Sequence, residues 1–472
     1  MLTATVLGSG VAMLDSTVVN IALPAIGRDL GAGLAGLSWV VNGYTLALAS
    51  LILLGGSLGD RFGRRRLFVI GLVWFGVASL SCGLAPTTGT LIAGRMLQGI
   101  GGALLTPGSL AILQTTFRTE DRSRAIGAWS GLGGIAGAIG PFVGGWIVEV
   151  SSWRWVFLVN VPLIAATVLV AVRYVPESRD SSVTGRVDVV GAALGIAGLG
   201  ALTYGLTAWS ERGLTSPVVL VPLLLGLAGM VAFVWFERVT ASPMLDLSIF
   251  SSRLFTATNA VTLAVYAALS GVFFWLVLSL QVVAGYSPLV AGLSLLPVTV
   301  LMLVLSARAG AWAQRVGPRI PMTLGPLVSA VGVGGLTRAG TGQSYLLDVL
   351  VPVTVFGLGL AMTVAPLTST VLAAVPDEHA GVASGVNNAV ARVAGLLAIA
   401  ALPLVAGVGG AGFGDPAALG PAYRTVMLVC AGLLAAGGII AWVFVRSPAL
   451  SEPPSAPEPC DHFCAVGGPP LT

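Results

Sequence analysis

The chain has 472 residues, of which 56% are hydrophobic and only 9% charged, and its mean hydropathy is +0.95. A soluble domain carries about 25% charge, so a water-facing surface is excluded, and length here counts membrane spans of about 20 apolar residues each. The formal charge is +4, all 23 basic residues are Arg and none is Lys, which rules out Lys-based chemistry; no basic stripe of the kind nucleic acid needs is present.

Apolar stretches recur between short polar breaks. In chain order they predict spans at about 2–24, 37–58, 67–85, 89–115, 123–147, 154–175 and 188–208, then at 217–236, 254–282, 287–310, 320–339, 346–375, 380–406 and 422–445, about fourteen helices in all. These stretches are too long for barrel strands, and only helices or closed barrels satisfy the backbone in lipid. The first stretch contains Asp15 and runs on through Pro24, which suits a first span better than the core of a cleaved signal.

The arginines set an expected orientation. With the N-terminus in the cytoplasm, sixteen arginines fall on the inner side and five on the outer, with Arg95 and Arg392 inside spans. Positive charge favours the cytoplasmic face, so both termini are predicted inside and the span number even. Cys82 and Cys430 lie in spans, whereas Cys460 and Cys464 lie in a Pro-, Glu- and Ser-rich tail, 447–472, expected to be disordered. No disulfide framework follows. Cys460-x-His462-x-Cys464 offers only three metal ligands, and no metal site is expected.

Four segments carry chemistry. The first is Leu14-Asp15-Ser16-Thr17-Val18-Val19-Asn20-Ile21-Ala22-Leu23-Pro24. A charge in mid-membrane costs roughly 2.5–3.5 kcal/mol on insertion scales. A proton relieves that cost, so Asp15 reads as a proton or cation carrier, or else as a structural bond between helices. The second is Gly56-Ser-Leu-Gly-Asp60-Arg61-Phe-Gly63-Arg64-Arg65-Arg66, expected as a loop after the second span. Gly56 and Gly63 permit a tight turn and close helix approach. Asp60 is then free to bond helix ends and arginines, latching one bundle to the other, while Arg61, Arg64, Arg65 and Arg66 are also explained by topology alone. A weaker copy, Gly310-Ala-Trp-Ala-Gln314-Arg315-Val-Gly317-Pro318-Arg319, follows the tenth span and replaces the acid by Gln314. Repeated halves are a common build for secondary transporters.

The third segment places Arg95 in Leu91-Ile-Ala-Gly-Arg95-Met-Leu-Gln98-Gly99-Ile-Gly101. A buried arginine needs a cavity or a partner. Arg95 either responds to protonation of Asp15 or of substrate, or forms a fixed ion pair. The fourth is Gly133-Gly134-Ile-Ala-Gly137-Ala-Ile-Gly140-Pro141-Phe-Val-Gly144-Gly145. Small residues pack helices closely and Pro141 bends its helix, which makes a pivot and seal, or ordinary close packing. Trp153-Arg154-Trp155-Val-Phe157-Leu-Val-Asn160-Val-Pro162 opens the sixth span, and Gly285-Tyr286-Ser287-Pro288 the tenth. Polar residues in or near spans, Asn42, Tyr44, Gln98, Asn259, Tyr266, Gln281, Asn387 and Arg392, are the candidates for a substrate cavity.

From Leu14 to about Arg446 the sequence resembles the major facilitator superfamily, in particular the fourteen-span drug:proton antiporters of the EmrB/QacA type. The Asp15 segment is similar to the signature of that branch, the Gly56–Arg66 segment to the superfamily's loop between spans two and three, and the Gly140–Gly145 segment to its antiporter motif. The resemblance implies an all-α membrane fold: a six-helix bundle at 1–175, two linker helices at 176–253, and a second six-helix bundle at 254–446. It also implies a plasma-membrane exporter in which the halves rock around a central cavity. Asp15 and Arg95 would couple proton entry to release of an amphipathic or cationic drug, dye or antibiotic, or of a product made by the same cell. No Walker loop, Ser-His-Asp triad or zinc-protease motif is present in the sequence. The expectation is therefore a monomeric non-enzyme, without cofactor and without nucleic acid, whose partners are protons, lipid and a small-molecule substrate. An uptake carrier and a non-transporting membrane sensor are the rival readings; the antiporter-type motif speaks against the first, and the absence of a soluble reading domain against the second.

Overall fold

The computed structural model describes the chain apart from residues 1, 117–118, 180–187, 241–242, 340–343, 376–379, 408–414 and 446–472; several side chains between 114 and 138 and at 380–381 are also outside the description. His379, Arg446 and the Cys460–Cys464 group thus lie outside the described residues. Every described regular element is a helix. The first half comprises α1 (Leu2–Leu30), α2 (Leu34–Phe62), α3 (Arg64–Gly83), α4 (Thr88–Thr116), α5 (Thr119–Val150), α6 (Trp155–Leu158) and α7 (Asn160–Tyr174). A hairpin of α8 (Val189–Arg212) and α9 (Pro217–Val239) follows. The second half comprises α10 (Arg253–Val282), α11 (Pro288–Leu293), α12 (Leu296–Val316), α13 (Arg319–Gly335), α14 (Val351–Ala373), α15 (Ala380–Ala406) and α16 (Pro416–Phe444).

Thirteen helical runs among the described residues are long and apolar enough to cross a membrane. The remaining long helix is α5, with 32 residues. Local chemistry sets many ends. Asp188 accepts from the Gly191 amide, Ser252 from Phe255, Ser287 from Val290 and Asp415 from Ala417, satisfying donors that the first helical turn leaves open. Pro288 and Pro416 stand at the first helical position, where a missing N–H costs nothing.

Two expectations from hydropathy need correction. Residues 56–62 are not a loop: α2 continues through Phe62 and α3 starts at Arg64, with Gly63 alone between them at φ 113°. Residues 310–316 of the weaker copy are likewise the last turns of α12, which ends at Gly317 with φ 82°. Charged side chains end the apolar run but not the backbone hydrogen bonding, so the helices outlast the hydropathy signal. In the other direction, two predicted spans are interrupted. The sixth breaks between Leu158 and Asn160, and the tenth between Leu293 and Leu296, next to Pro297, which has no N–H to give.

In the first half α2 and α3 pack on α4, α1 on α5, and α7 on α3 and α1; in the second half α13 packs on α14 and α16, α12 on α14, and α10 on α15 and α16. The halves meet where α5 crosses α11 and α12, where α1 meets α10, and where α2 meets α15. The hairpin lies at the flank, α8 touching both α2 and α15. Its second helix turns Leu224, Leu225, Leu227, Val231 and Trp235 outward, each at least 58% exposed, an apolar surface suited only to lipid. At one end of the first half Arg154 bonds Asp29 and the Ala85 carbonyl, and at the other the Arg64 amide bonds the Ser178 carbonyl. These ties define a Trp153 end and a Gly63 end.

Candidate functional site

A carboxylate, a guanidinium and two amides meet midway along the first half. Asp15 of α1 is fully buried and Arg95 of α4 is 1% exposed. Arg95 Nη1 donates to Asp15 Oδ2 at 2.5 Å and to Gln98 Oε1 at 2.7 Å, while its Nε donates to the Val40 carbonyl at 3.1 Å. The other carboxylate oxygen, Oδ1, accepts from Gln98 Nε2 and from Asn160 Nδ2, each at 3.0 Å. Ser79 Oγ lies 2.6 Å from Gln98 Nε2 and 3.4 Å from Asn160 Nδ2. The guanidinium carbon sits 4.5 Å from the ring centre of Tyr44 and 5.8 Å from that of Phe157. Side chains or carbonyls of α1, α2, α3, α4, α6 and α7 thus converge on one charge pair.

The local fold explains the convergence. Arg95 and Gln98 are three residues apart on α4 and share a face. Gly99 and Gly101 on the same helix let α2 and α3 approach: a Cβ at Gly101 would lie 2.8 Å from the Phe75 amide, and one at Gly99 would meet the Tyr44 carbonyl. The break at Val159 makes Asn160 the first residue of α7. Both carboxylate oxygens accept from donors, Oδ2 from Arg95 and Oδ1 from Gln98 and Asn160. A proton arriving at Asp15 would leave Arg95 without its counter-ion and would oblige Gln98 and Asn160 to find other acceptors. The arrangement is a buried ion pair closed by two amides.

The Gly56–Arg66 segment is organised differently from the expected latch between bundles. Asp60 pairs with Arg64 across Gly63, its Oδ1 lying 2.6 Å from Nη2 and 2.8 Å from Nε. Glu177, just beyond α7, accepts from the amides of Arg65 and Arg66 at 3.1 and 3.2 Å, so a carboxylate stands at the N-terminus of α3, where the helix dipole favours it. A Cβ at Gly63 would lie 2.6 Å from Glu177 Oε1. These contacts stay within the first half. Arg61 stacks on Phe62, its guanidinium carbon 5.7 Å from the ring centre. On Gly56, a Cβ would meet only the ring of Pro107, at 3.6 Å.

The Gly140–Gly145 segment does join the halves. On one side, Gly140 faces Thr17 of α1, and a Cβ at Gly144 would lie 2.6 Å from Val18 Cγ1. On the other, a Cβ at Gly145 would lie 2.6 Å from the Pro288 carbonyl oxygen, and one at Gly292 would meet the Pro141 carbonyl. The Leu289 amide donates to Glu149 at 3.1 Å. Nearby, Gln281 of α10 donates to the Ile21 carbonyl of α1 at 2.9 Å. Backbone against backbone, α5 and α11 close the bundle toward the Trp153 end.

The eight cavity candidates separate into groups. Tyr44 and Gln98 belong to the Asp15 cluster. Asn42 is fully buried, with no partner for its amide among the described residues, so it lines no open cavity here. Gln281 is part of the closure. Asn387 donates to Asn259 at 3.1 Å and to Thr262 at 2.7 Å, a tie between α15 and α10. Tyr266 and Arg392 are half-buried and carry no hydrogen bond among the described residues. Sequence reasoning missed Ser79 and Glu177, and it treated Asn160 only as part of a span opening. An amide at the start of an apolar run was the one available signal for Asn160; nothing marked the other two.

With this geometry in view, comparison with known proteins is decisive on kinship. The Major Facilitator Superfamily profile matches residues 5–399. The chain belongs to the major facilitator superfamily. Among facilitator relatives, it is 35% identical to Multidrug resistance protein Stp of Mycobacterium tuberculosis over 402 residues, 85% of this chain and 74% of that one. It is 35% identical to Puromycin resistance protein pur8 of Streptomyces alboniger over 459 residues, covering 94% and 91%. It is 37% identical to Cephamycin export protein CmcT of Amycolatopsis lactamdurans over 463 residues, covering 96% and 93%. Of solved facilitator folds, a POT family transporter superposes with a TM-score of 0.70 at 13% identity, covering 94% of this chain and 95% of the other. The inward-open xylose transporter XylE from E. coli gives 0.64 at 16%, covering 95% and 96%.

Proposed function

We propose that this protein is a proton-coupled antiporter of the fourteen-span drug:proton type, exporting small amphipathic compounds such as drugs or antibiotics across the plasma membrane. The observation that carries the reading is the Asp15–Arg95 pair. A carboxylate with no exposure, paired in mid-span and ringed by amides, is costly to keep. A proton site that alternates between charge states gives that cost a use. The names of the relatives, which speak of multidrug resistance, puromycin resistance and cephamycin export, support export as the direction. The thirteen long apolar runs together with α5 support the fourteen-span type.

In the proposed cycle the Trp153 end faces outward and both termini face the cytoplasm. With α5 and α11 closed, substrate enters from the cytoplasm. Opening at the Trp153 end admits a proton to Asp15, Arg95 loses its counter-ion, and substrate leaves. Return to the closed form carries the proton inward. The driving force is the proton gradient, with no cofactor and no chemical reaction. A compound made by the same cell fits the site as well as a foreign drug.

The test is exchange in proteoliposomes under an imposed pH gradient, comparing the parent with Asp15→Asn. The expected outcome is uphill export of a dye or antibiotic by the parent and only downhill exchange by the variant. Undiminished uphill export by Asp15→Asn would refute the coupling role.

A further inference from the structure

We infer that Arg392 is an anion-recognition group at the contact between the halves, and that the exported compounds carry a negative charge, a carboxylate or an ionised phenol. The inference deepens the export reading and rests on it for the word "exported". It departs from the amphipathic or cationic substrate that the family resemblance suggests.

Arg392 is the thirteenth residue of the 27-residue helix α15, far from either end. A charged side chain at such a place must find a partner or water. Five other arginines in or near spans have partners among the described residues. Arg95 has Asp15, Arg64 has Asp60, Arg154 has Asp29, Arg308 reaches the Val304 carbonyl and Arg319 the Trp442 carbonyl. Arg392 makes no hydrogen bond, ion pair or ring contact with any described residue.

No described carboxylate pairs with Arg392. Its helix α15 packs on α10 of its own half, which carries Tyr266, and on α2 of the other half, which carries Tyr44, so Arg392 stands on an element that joins the two halves. One turn along, Gly395 of the same helix approaches the Ser270 side chain of α10, which fixes that face of α15 toward Tyr266. Neither phenol hydroxyl has a hydrogen-bond partner among the described residues. Unlike Asn42 and Trp275, which are fully buried, Arg392 and Tyr266 are half-buried. A guanidinium has donors only, and two free hydroxyls add two more. What such a group lacks is an oxyanion, which a guanidinium binds with charge-assisted, often bidentate, bonds.

The charge balance points the same way. Asp15 is the one described carboxylate in mid-span; every other lies in a loop, at a cap or within three residues of a helix end. Asp15 is saturated by Arg95, Gln98 and Asn160. The middle of the bundle therefore holds two guanidiniums and one carboxylate, and protonation of Asp15 leaves two cations with none. An anionic substrate restores the balance. Tyr44 of α2, the helix that α15 meets, lies against Arg95, so a substrate held at Arg392 would sit across that contact from the Asp15 cluster.

The test uses two permanently charged probes of matched size that do not leak through lipid: 1-naphthalenesulfonate and 1-naphthylmethyl-trimethylammonium. Binding to purified full-length protein in detergent is read by fluorescence. The parent should bind the sulfonate about tenfold more tightly than the ammonium. Arg392→Gln should lose about tenfold in sulfonate affinity and none for the ammonium, as expected for loss of a charge-assisted pair worth about 1.4 kcal/mol per tenfold. Arg392→Lys should recover part of the sulfonate affinity. If Arg392→Gln does not fold, Arg392→Lys and Tyr266→Phe carry the measurement, each expected to weaken sulfonate binding alone. Ammonium bound as tightly as sulfonate, no binding of either, or sulfonate binding indifferent to all three substitutions overturns the inference. The pH-gradient assay separates the two ideas. Export of some compound with Arg392-independent anion binding defeats the anion site and leaves the exporter standing. Arg392-dependent binding with no gradient-driven movement of any compound defeats the exporter and leaves the site.

Discussion

Asn160 donates to the same carboxylate oxygen of Asp15 that receives Gln98, across 145 residues of sequence. It does so because the sixth span breaks one residue earlier and starts α7 with an amide facing the bundle. Asn160→Leu would remove a donor to a buried charge, a loss of about 1–3 kcal/mol. The variant should melt at a lower temperature in detergent and lose most uncoupler-sensitive export. An unchanged melting temperature would show that the bond contributes nothing.

The Arg95–Asp15 pair makes a sharper prediction. Removing one partner of a buried pair costs about 3–5 kcal/mol, because the other charge is left uncompensated, whereas removing both is far milder. Arg95→Met should therefore be poorly folded, and Arg95→Met with Asp15→Asn substantially rescued. Thermal unfolding of Arg95→Met, Asp15→Asn and the double variant reads this directly. Coupled transport should be absent in all of them, so recovered stability without recovered export separates the two roles of the pair.

Gly145 lies against the Pro288 backbone where α5 meets α11. Gly145→Val would force the halves apart at the Trp153 end, at a packing cost of about 1–3 kcal/mol. A cysteine introduced at Gln281, 8% exposed, should become reactive to a water-soluble maleimide in this background. Gradient-driven export should fall sharply. Equal labelling in both backgrounds would place the closure elsewhere.

At Gly63 the backbone has φ 113° and Glu177 occupies the space a side chain would take. Gly63→Ala should destabilise the protein by about 1–3 kcal/mol through strain and displacement of the carboxylate. Glu177→Gln should cost about 0.3–1 kcal/mol through loss of charge at the α3 terminus. Both act on the same few atoms, so the double variant should fall short of the sum. Unfolding measurements on the three variants check the shortfall.

These residues also show what sequence can and cannot disclose here. Asp15 and Arg95 were legible because a charge inside an apolar run is conspicuous, and Gln98 because a polar side chain in a span stands out in the same way. Asn160, Ser79 and Glu177 were not, since an amide at a span's edge, a serine in a span and a glutamate after one are all unremarkable until the helices are brought together. The spans themselves were plain from hydropathy, but their ends were not. Hydropathy registers where side chains leave lipid, and Asp60, Arg61 and Arg315 sit on turns that continue the hydrogen-bonded backbone beyond that point. The Gly56–Arg66 segment suggested a clasp between halves because topology alone explains its arginines but not the spacing of Gly56, Asp60 and Gly63. Asp60 proved to be taken up by Arg64, four residues on.

The glycine crossing of α5 and α11 has one more consequence. Its lock is made of main chain, with almost no side chain to vary, while Arg392, Tyr44 and Tyr266 stand on other helices. On the proposed reading, residues that contact cargo could change without disturbing this crossing. A scaffold wired in this way can be re-addressed from one compound to another by a few substitutions, each tested by selection on affinity alone while the opening mechanism is inherited intact.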